Sequence, residues 1–542
     1  MVFICSFLSC VSFSQVKTAQ QIPTPDKPKL IIGIVVDQMR YDFITRYWDK
    51  YGNGGFKRLL SQGYSCDNTH YNYVPTYTGP GHTAIFTGSV PAIDGIIAND
   101  WYDRSSGKTV YCTQDDTAKT IGADNKSGKM SPNRMLVTTI TDELRLSDNM
   151  KSKVIGISLK DRAAILPVGH TGNAAYWYDN KSSNFVTSSY YMNALPQWVN
   201  DFNNEKLVDK YLSQQWTTLF PIADYTESTA DDMPFEESYK GEAKPIFPHD
   251  LPNLKAANSD LIRLTPFGDS YTADFAMATI KGEQLGKGLY TDFLTINFAS
   301  TDYVGHQFGP NSIETEDTYL RLDKDLTNLL TFLDNYLGKN NVLIFLTADH
   351  GVAEVPAYAE INKIPAGVFS TEDAMKTLKE SLQKTFGTDN LISSFTNQEI
   401  YFNDSVIEDR KIDKRQLIMN VRETLMKIIG VANVVCTQNV IDEQLPDFQQ
   451  HLLRNSFNAQ RSGDLYVIFN PGWFEDRKKG TTHGTFYNYD LHVPLLWYGW
   501  KIKTGSTTKP VEITDIAPSI ASLLKIMEPN GCVGKPIEGL MR

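Results

Sequence analysis

The chain has 542 residues, of which 41% are hydrophobic and 21% are charged. This is the composition of a globular protein, and the length is enough for two or more domains or for one large fold with insertions. The formal net charge of −11 argues against a nucleic-acid-binding surface, which needs a basic field. We therefore expect no nucleic-acid partner.

The N-terminus predicts an exported protein. Residues 2–13 form an apolar run that is too short to cross a bilayer as a helix, and the small residues Ser12 and Ser14 are placed for cleavage before Gln15. We predict a signal peptide over 1–14, a proline-containing tether over 15–28, and a periplasmic location. An outer-membrane lipoprotein anchored through Cys10 is the alternative, although the preceding residues match a lipobox poorly. We expect no membrane span.

The mature chain keeps four cysteines whose spacing matches no Cys-rich zinc site: Cys66, Cys112, Cys436 and Cys532. In an oxidising compartment such a set predicts two disulfides. The connectivity is open, and local pairing of Cys66 with Cys112 and of Cys436 with Cys532 is the first expectation.

Four apolar runs have the pattern of buried strands in a parallel sheet, at 30–36, 154–159, 293–298 and 342–346. A further strand at 493–498 contains Pro494, which favours an edge position. Helical spacing lies between these runs, so the chain predicts an α/β fold of the alkaline-phosphatase-like kind described below. Its central sheet would be mostly parallel and flanked by helices.

Helical spacing is clearest over 132–146, 271–285 and 311–337. The last of these has leucines along one face, which we interpret as core, and Asn311 with Glu314 predicts a capping box at its start.

Two long segments depart from this core pattern. The segment 166–255 is rich in Tyr, Trp, Asn and Ser, and we predict an inserted cap near the site. The segment 352–475 holds helical stretches around 371–386 and 414–429, and we predict a second insertion. The catalytic core then comprises 29–165, 256–351 and 476–542.

Each buried strand leads into residues that can do chemistry. Open α/β sheets keep their chemistry at the carboxyl ends of strands, and Asp and His are good zinc ligands. The spacing of Asp302 and His306 suits two ligands on one helical turn. In chain order the residues after the strands are Asp37, Lys160, Arg162, Asp302, His306, Asp349 and His350.

Three further candidates lie between the strands. Thr78 precedes Gly-Pro-Gly at a predicted helix start, where free N–H groups and the helix dipole suit a phosphate. A plain threonine N-cap is the alternative. Asn99 and His483 lie in loops. The Lys160–Arg162 pair is either an anion site or a solvated turn.

The order and surroundings of these residues resemble the alkaline phosphatase superfamily. Within it they look most like the bacterial phosphate-irrepressible alkaline phosphatases of the PafA type. The resemblance spans essentially the whole mature chain. The stretches that carry it are 35–40, 78–82, 87–103, 160–162, 302–306, 348–351, 482–484 and 514–518.

Carried over onto these positions, the resemblance implies two Zn²⁺ per chain. The ligands of one ion would be Asp302, His306 and His483. The ligands of the other would be Asp37, Asp349, His350 and the nucleophile Thr78. The groups on the non-bridging phosphoryl oxygens would be Asn99, Lys160 and Arg162. His82, in the same motif as Thr78, is interpreted as structural.

The implied enzyme is a zinc-dependent alkaline phosphatase that hydrolyses small phosphate monoesters through a covalent phosphothreonine. The alternative is a nucleotide pyrophosphatase/phosphodiesterase of the same superfamily, against which the Lys160–Arg162 pair argues. A sulfatase is disfavoured because Thr78 stands where Cys or Ser would be converted to formylglycine. From another class, an exported solute-binding or adhesion protein would need no such metal set. We expect a monomer.

Overall fold

A computed structural model describes residues 26–540. The predicted signal peptide over 1–14, Cys10 and almost all of the tether therefore lie outside the described residues. Within the described part, a ten-stranded mixed sheet forms the centre, and four smaller sheets surround it. No helix of this part combines the length and the apolarity that crossing a bilayer requires.

The strands are numbered in chain order. They are β1 (Leu30–Val36), β2 (Tyr64–Cys66), β3 (Thr69–His70), β4 (Asp100–Asp103), β5 (Lys108–Tyr111), β6 (Thr120–Ile121), β7 (Val154–Ser158), β8 (Ala174–Asp179), β9 (Asn184–Ser188), β10 (Asp292–Phe298), β11 (Val342–Thr347), β12 (Gly367–Phe369), β13 (Ile392–Thr396), β14 (Glu399–Phe402), β15 (Val431–Cys436), β16 (Leu465–Phe469), β17 (Trp473–Glu475), β18 (His492–Val493), β19 (Leu495–Gly499), β20 (Gly505–Thr507) and β21 (Val511–Glu512).

The α-helices are numbered in the same way. They are α1 (Phe43–Arg46), α2 (Phe56–Gln62), α3 (Thr78–Thr87), α4 (Pro91–Asp94), α5 (Ile140–Ser147), α6 (Asp161–Val168), α7 (Gln197–Asn204), α8 (Leu207–Tyr211), α9 (Leu251–Leu254), α10 (Phe267–Gly282), α11 (Ser300–Phe308), α12 (Ile313–Tyr336), α13 (Pro356–Ile361), α14 (Thr371–Phe386), α15 (Asp404–Asp409), α16 (Lys414–Leu425), α17 (Asp447–Ser456), α18 (Asn488–Leu491) and α19 (Ile516–Leu524).

The large sheet has the order β20-β2-β19-β11-β1-β10-β7-β8-β9-β6. Its five central strands, β11, β1, β10, β7 and β8, run parallel. Helices α2, α6 and α10 pack against strands of this sheet. All residues of β1, β7, β10 and β11 are buried, which explains their continuous apolar runs. The predicted α/β fold, with a mostly parallel central sheet flanked by helices, is confirmed.

The register of the sheet brings the predicted functional residues to one edge. Val36 at the end of β1 lies opposite Phe298 at the end of β10, and Val35 lies opposite Thr347 at the end of β11. The residues that follow β1, β7, β10 and β11 therefore leave the sheet side by side, as expected for parallel strands.

Two details of the sheet differ from the sequence-based expectations. Strands β8 and β9 fall inside the segment assigned to the inserted cap, yet they continue the main sheet beside β7. The expected edge position at Pro494 is wrong, because β19 begins one residue later and lies between β2 and β11. Pro494 stands before the strand, where its carbonyl accepts a hydrogen bond from Thr347. The division of the chain into core and insertions otherwise remains a prediction.

The helix bounds differ from prediction mainly at the N-termini. The stretch 371–386 coincides with α14, whereas α5 begins at Ile140, after a capping box formed by Thr139 and Asp142. The capping box expected at Asn311 and Glu314 is wrong. Helix α12 begins after Ser312, whose side chain accepts a hydrogen bond from the backbone N–H of Thr315.

The segment 352–475 builds a core of its own. Strands β13, β14, β16 and β15 form a separate sheet, and α14 and α16 bury leucines against it. Two contacts of its sheet region reach the neighbourhood of the candidate site. Asn397 donates to the carbonyl of Asp100, and Gln398 donates to the carbonyl of Gly484.

The two expected disulfides are not formed, and all four cysteines of the described chain are free. The reason is their placement in different packing environments. Cys66 belongs to the main core, Cys112 to a small cluster around Trp101, and Cys436 packs against the core of the second insertion. Cys532 lies beside Gly88, at the end of α3.

A buried ionic network ties the segment after β9 to α12. His249 is fully buried, with Nδ1 at 2.7 Å from Glu242 Oε1 and Nε2 at 3.3 Å from Glu314 Oε1. Burial alone would lower the pKa of His249, but the two carboxylates outweigh it and raise the pKa to about 9. The imidazolium is thus the counter-ion of Glu314, which is itself fully buried.

This network predicts a pH-dependent stability. Because the folded-state pKa of His249 lies above the ordinary value of about 6.5, its stabilisation is fully present below that value. It is lost as the pH rises through about 9. His249→Gln should remove this component and cost about 3 to 5 kcal/mol, because Glu314 is left buried without a counter-ion.

The free energy of unfolding of the unsubstituted protein and of His249→Gln is measured with denaturant between about pH 6 and about pH 10, and the difference between them is followed with pH. His451→Gln is the matched control, because that side chain is 58% exposed. An unchanged difference in stability across this range would contradict the role of His249.

Candidate active site

Thr78 is the first residue of α3, a helix that is buried along its whole length. The N-cap position belongs to Tyr77, and no side chain makes a capping hydrogen bond there. The alternative that Thr78 is a plain N-cap is therefore wrong. Gly81 explains how α3 reaches the sheet edge, because a Cβ at this position would collide with the carbonyl oxygen of Asp349.

The first predicted ligand set is brought together by α11 and a distant loop. Asp302 and His306 lie one turn apart on α11, with His306 Nε2 at 3.1 Å from Asp302 Oδ1. His483 Nε2 lies 3.8 Å from the same carboxylate oxygen. The three side chains are close enough to hold one metal ion between them.

The second predicted set lies at the ends of β1 and β11. His350 Nε2 lies 3.6 Å from Asp37 Oδ1 and 3.4 Å from Asp349 Oδ2. Asp302 also approaches this set, and Asp37, Asp302 and His350 form a second group that could hold an ion. The two sets are therefore contiguous, and the rings of His350 and His483 stack with centroids 3.4 Å apart.

Backbone carbonyls set the orientation of the three imidazoles. Nδ1 of His306 lies 2.7 Å from the carbonyl of Thr481, and Nδ1 of His483 lies 2.6 Å from that of Thr76. Nδ1 of His350 lies 3.0 Å from the carbonyl of Gly351. If each Nδ1–H donates to its carbonyl, each Nε2 lone pair is left for a metal, the arrangement that orients histidine ligands in metal sites.

The donor set fits a divalent metal. Among the described residues, Asp37 Oδ1, Asp349 Oδ2 and His350 Nε2 are buried polar atoms without a hydrogen-bond partner. Burial lowers the pKa of His350 to about 4, so its ring is neutral and able to coordinate. Burial and the neighbouring Asp37 raise the pKa of Asp349. A bound cation would relieve that repulsion, and carboxylate with imidazole suits zinc.

Positive side chains complete the site. Lys160 is buried, and its Nζ lies 2.9 Å from Asp37 Oδ2 and 2.7 Å from Asp302 Oδ2. Burial alone would lower the pKa of Lys160, but Asp302 and Asp37 raise it above the ordinary value. Arg162 donates to Thr78 Oγ1 at 3.3 Å. Neither cation lies in a solvated turn, the alternative that the sequence left open.

Asn99 approaches the start of α3. Its Oδ1 accepts a hydrogen bond of 2.8 Å from the backbone N–H of Gly79, next to Thr78. His82, one turn into α3, is fully buried with Nδ1 at 2.9 Å from the carbonyl of Thr78 and 3.6 Å from Asp349 Oδ2. It contacts the backbone of the candidate nucleophile and a candidate ligand.

Three neighbours of the site were not predicted. Gln38 contacts both Asp302 and Asp349. Tyr111 accepts a hydrogen bond of 3.1 Å from Arg162, and the Tyr303 ring lies 5.0 Å from Lys160 Nζ. Gln38 and Tyr303 stand beside predicted ligands in the sequence and within two of the stretches that carry the resemblance, which is the signal that could have found them. Nothing near Tyr111 in the sequence pointed to the site.

The family model for type I phosphodiesterase/nucleotide pyrophosphatase matches residues 31–493, which is well over half of the chain. The chain belongs to this family. The match includes every residue of the candidate site described above.

Two bacterial proteins match the chain over nearly its whole length. The chain is 48% identical over 522 residues to alkaline phosphatase PafA of Elizabethkingia meningoseptica, covering 96% of this chain and 95% of that protein. It is also 48% identical over 518 residues to a protein named calcium-transporting ATPase from Myroides odoratus, covering 95% and 94%.

A solved structure with the same name as one of these relatives has the same fold as this chain. The crystal structure of wild-type alkaline phosphatase PafA superposes with a TM-score of 0.93 at 47% identity, covering 96% of this chain and 100% of that one. The resemblance inferred from the sequence motifs is confirmed.

The two ligand sets predict a measurable metal dependence. A chelator should lower the thermal midpoint, and Zn²⁺ should restore it, because an ion that binds only the folded state stabilises it. His306→Ala should lose about half of the metal of the unsubstituted protein, since it belongs to one set only. Metal analysis after dialysis measures this, with the exposed His451→Ala as control. Full metal content in His306→Ala would contradict the assignment.

Proposed function

We propose that the protein is a zinc-dependent alkaline phosphatase that hydrolyses small phosphate monoesters through a phosphothreonine intermediate. The observation that carries the proposal is the hydrogen bond of 3.3 Å that Arg162 donates to the hydroxyl of Thr78, beside the two ligand sets. The proposed nucleophile, a cation able to bind an anion and the candidate metal ligands therefore lie together at one edge of the sheet. The full-length relative named an alkaline phosphatase supports the same activity.

Two zinc ions are the proposed cofactors. One would be held by Asp302, His306 and His483. The other would be held by Asp37, Asp349, His350 and Thr78. When bound, such ions supply Lewis-acid stabilisation of the oxygens that gain charge as the phosphate ester is cleaved.

Thr78 is the proposed nucleophile. Its Oγ1 bonds to phosphorus and gives up its proton, while the bond between phosphorus and the alcohol oxygen of the substrate breaks. The leaving oxygen takes up a proton in exchange and departs as the alcohol. Water then attacks the phosphothreonine, which releases inorganic phosphate and restores the hydroxyl. The hydrogen bond from Arg162 and the rigid start of α3 hold Oγ1 in position for both steps.

Lys160, Arg162 and Asn99 are proposed to bind the phosphoryl group. Arg162 offers a planar fork of donors, and Lys160 offers a point charge. In the described structure the Lys160 ammonium is shared between Asp37 and Asp302. Once cations neutralise these carboxylates, that positive charge becomes available to the phosphoryl oxygens. Asn99 still has its amide NH₂ group after accepting from Gly79.

The competing function is a phosphodiesterase, which the family description includes. Both activities need the metal sets and Thr78. The difference is in the transferred group, because a monoester carries about two negative charges near neutral pH and a diester carries one. The half-buried Arg162 on Thr78 and the buried Lys160 between Asp37 and Asp302 favour the monoester.

Other properties remain predictions. Export to the periplasm rests on residues 1–14, which lie outside the described part of the chain. The monomeric state is also a prediction. The substrates are proposed to be small molecules, and no nucleic acid is expected at a protein of net charge −11.

Substitution of Thr78 tests the nucleophile. Thr78→Ala should remove most of the activity and leave the fold intact, because its side chain makes no capping hydrogen bond. Thr78→Ser should retain a substantial part, because it keeps the hydroxyl. Acid-quenched reactions analysed for covalent phosphate measure the intermediate. Phosphate trapped on a different residue would show that Thr78 is wrongly assigned.

Substitution of the two cations tests the substrate class. Lys160→Ala combined with Arg162→Ala should lower kcat/KM for an aryl phosphate monoester by on the order of 4 kcal/mol of transition-state stabilisation. Hydrolysis of the matching diester should fall much less, because its second substituent occupies one of the oxygen positions that these cations bind.

Both rates must be measured on one preparation with its zinc content checked, because Lys160 contacts two ligand carboxylates. Lys379→Ala, on the exposed face of α14, is the control for loss of a lysine elsewhere. Equal losses for monoester and diester would favour the phosphodiesterase.

A further inference from the structure

Gln38 has an unusual backbone for its position. It follows Asp37 at the end of β1, is 2% exposed, and has φ of 64°. This left-handed region costs free energy for any residue with a Cβ, and glycine adopts it without that cost. A glutamine held there inside the protein implies that its side chain is used, since strained residues in a site are kept when their contacts matter.

The contacts of Gln38 reach both candidate metal-ligand sets. Its backbone N–H donates to Asp349 Oδ1 at 3.1 Å, and its side-chain amide donates to Asp302 Oδ1 at 2.7 Å. Asp349 belongs to the set at the ends of β1 and β11, and Asp302 belongs to the set on α11. Gln38 therefore donates one hydrogen bond to a carboxylate of each set, and both of its donors are neutral.

Gly305 provides the room that this arrangement needs. It lies on α11 between Asp302 and His306, where a helix interior would ordinarily favour alanine. A Cβ built on Gly305 would overlap with Gln38 Oε1 and lie 3.2 Å from Gln38 Cδ. The three nearest atoms to that Cβ all belong to Gln38. A side chain at 305 would therefore displace the Gln38 carboxamide before it disturbed anything else.

We infer that Gln38 is a positioning residue that fixes Asp302 and Asp349 relative to each other, with Gly305 as its structural partner. The inference rests on the proposed function only in taking both carboxylates as zinc ligands. The side-chain amide acts on Asp302, and the left-handed backbone aims the N–H group at Asp349. Hydrogen bonds to ligating carboxylates orient them for the metal and affect its affinity.

The test is the zinc affinity of Gln38→Gly, measured by competition with a chromophoric chelator and using Zn²⁺ alone as the ligand. Glycine keeps the left-handed backbone and the N–H group toward Asp349 but removes the amide on Asp302. One of the two zinc ions should therefore bind about 10- to 100-fold more weakly. The affinity of the other ion should stay within about threefold, because its hydrogen bond survives.

Lys206→Gly is the matched control, because Lys206 is an exposed residue with φ of 52°. The substitution also replaces a residue in the left-handed backbone region by glycine, and position 206 is far in the sequence from any predicted ligand. Both zinc affinities should be unchanged in this variant.

A double-mutant cycle separates positioning from a general structural effect. Gly305→Ala alone should weaken the same zinc ion as Gln38→Gly, because it displaces the carboxamide. Added to Gln38→Gly, it should have little further effect on affinity. A purely structural role would instead give additive losses and a lower unfolding midpoint of the metal-free protein in each variant.

The outcomes distinguish this inference from the proposed function. Unchanged zinc affinities in Gln38→Gly, with monoester hydrolysis intact in the unsubstituted protein, would overturn the role of Gln38 alone. Equal weakening of both ions, or additive losses in the cycle, would also overturn it. An unsubstituted protein that binds zinc as predicted but cleaves no monoester would overturn the proposed function and leave the role of Gln38 supported by the affinities.

Discussion

The concentration of negative charge at one edge of the sheet is the constraint on which the rest of the site depends. Asp37, Asp302 and Asp349 are all buried. Asp37 and Asp302 are grouped with His350, and the carboxylate of Asp349 also lies beside that imidazole. Buried carboxylates are costly unless a cation or hydrogen-bond donors compensate them. The parallel register of β1, β10 and β11 forces these residues together, so the fold itself creates the need for positive charge.

The surrounding residues compensate this negative charge in two different ways. Lys160 supplies one charge between Asp37 and Asp302, whereas the imidazoles of His306, His350 and His483 turn their Nε2 atoms toward the carboxylates. One lysine cannot neutralise three carboxylates. The raised pKa of Asp349 and the unpartnered atom on its side chain mark the part of the charge that protein groups leave uncompensated.

The sequence predicted the parts of the site that depend on local pattern. Continuous apolar runs located β1, β7, β10 and β11, and the residues after them followed from where parallel strands end. The one-turn spacing of Asp302 and His306 was also readable. Contacts between distant segments were not, such as Gln38 with Asp302, which are 264 positions apart. The disulfide prediction failed for the same reason, because packing environment is not visible in cysteine spacing.

Backbone conformation explains why Gln38 in particular escaped notice. Its role depends on a positive φ, which no side-chain pattern announces, and on the absence of a side chain at Gly305. A glycine between two candidate ligands on a helix looks like a weak helix position when only propensity is considered. Because Gly305 has no side chain, the Gln38 carboxamide fills the space that a Cβ would take, and its neutral donor reaches Asp302. The neutrality of that donor matters, because Lys160 already occupies the other oxygen of this carboxylate.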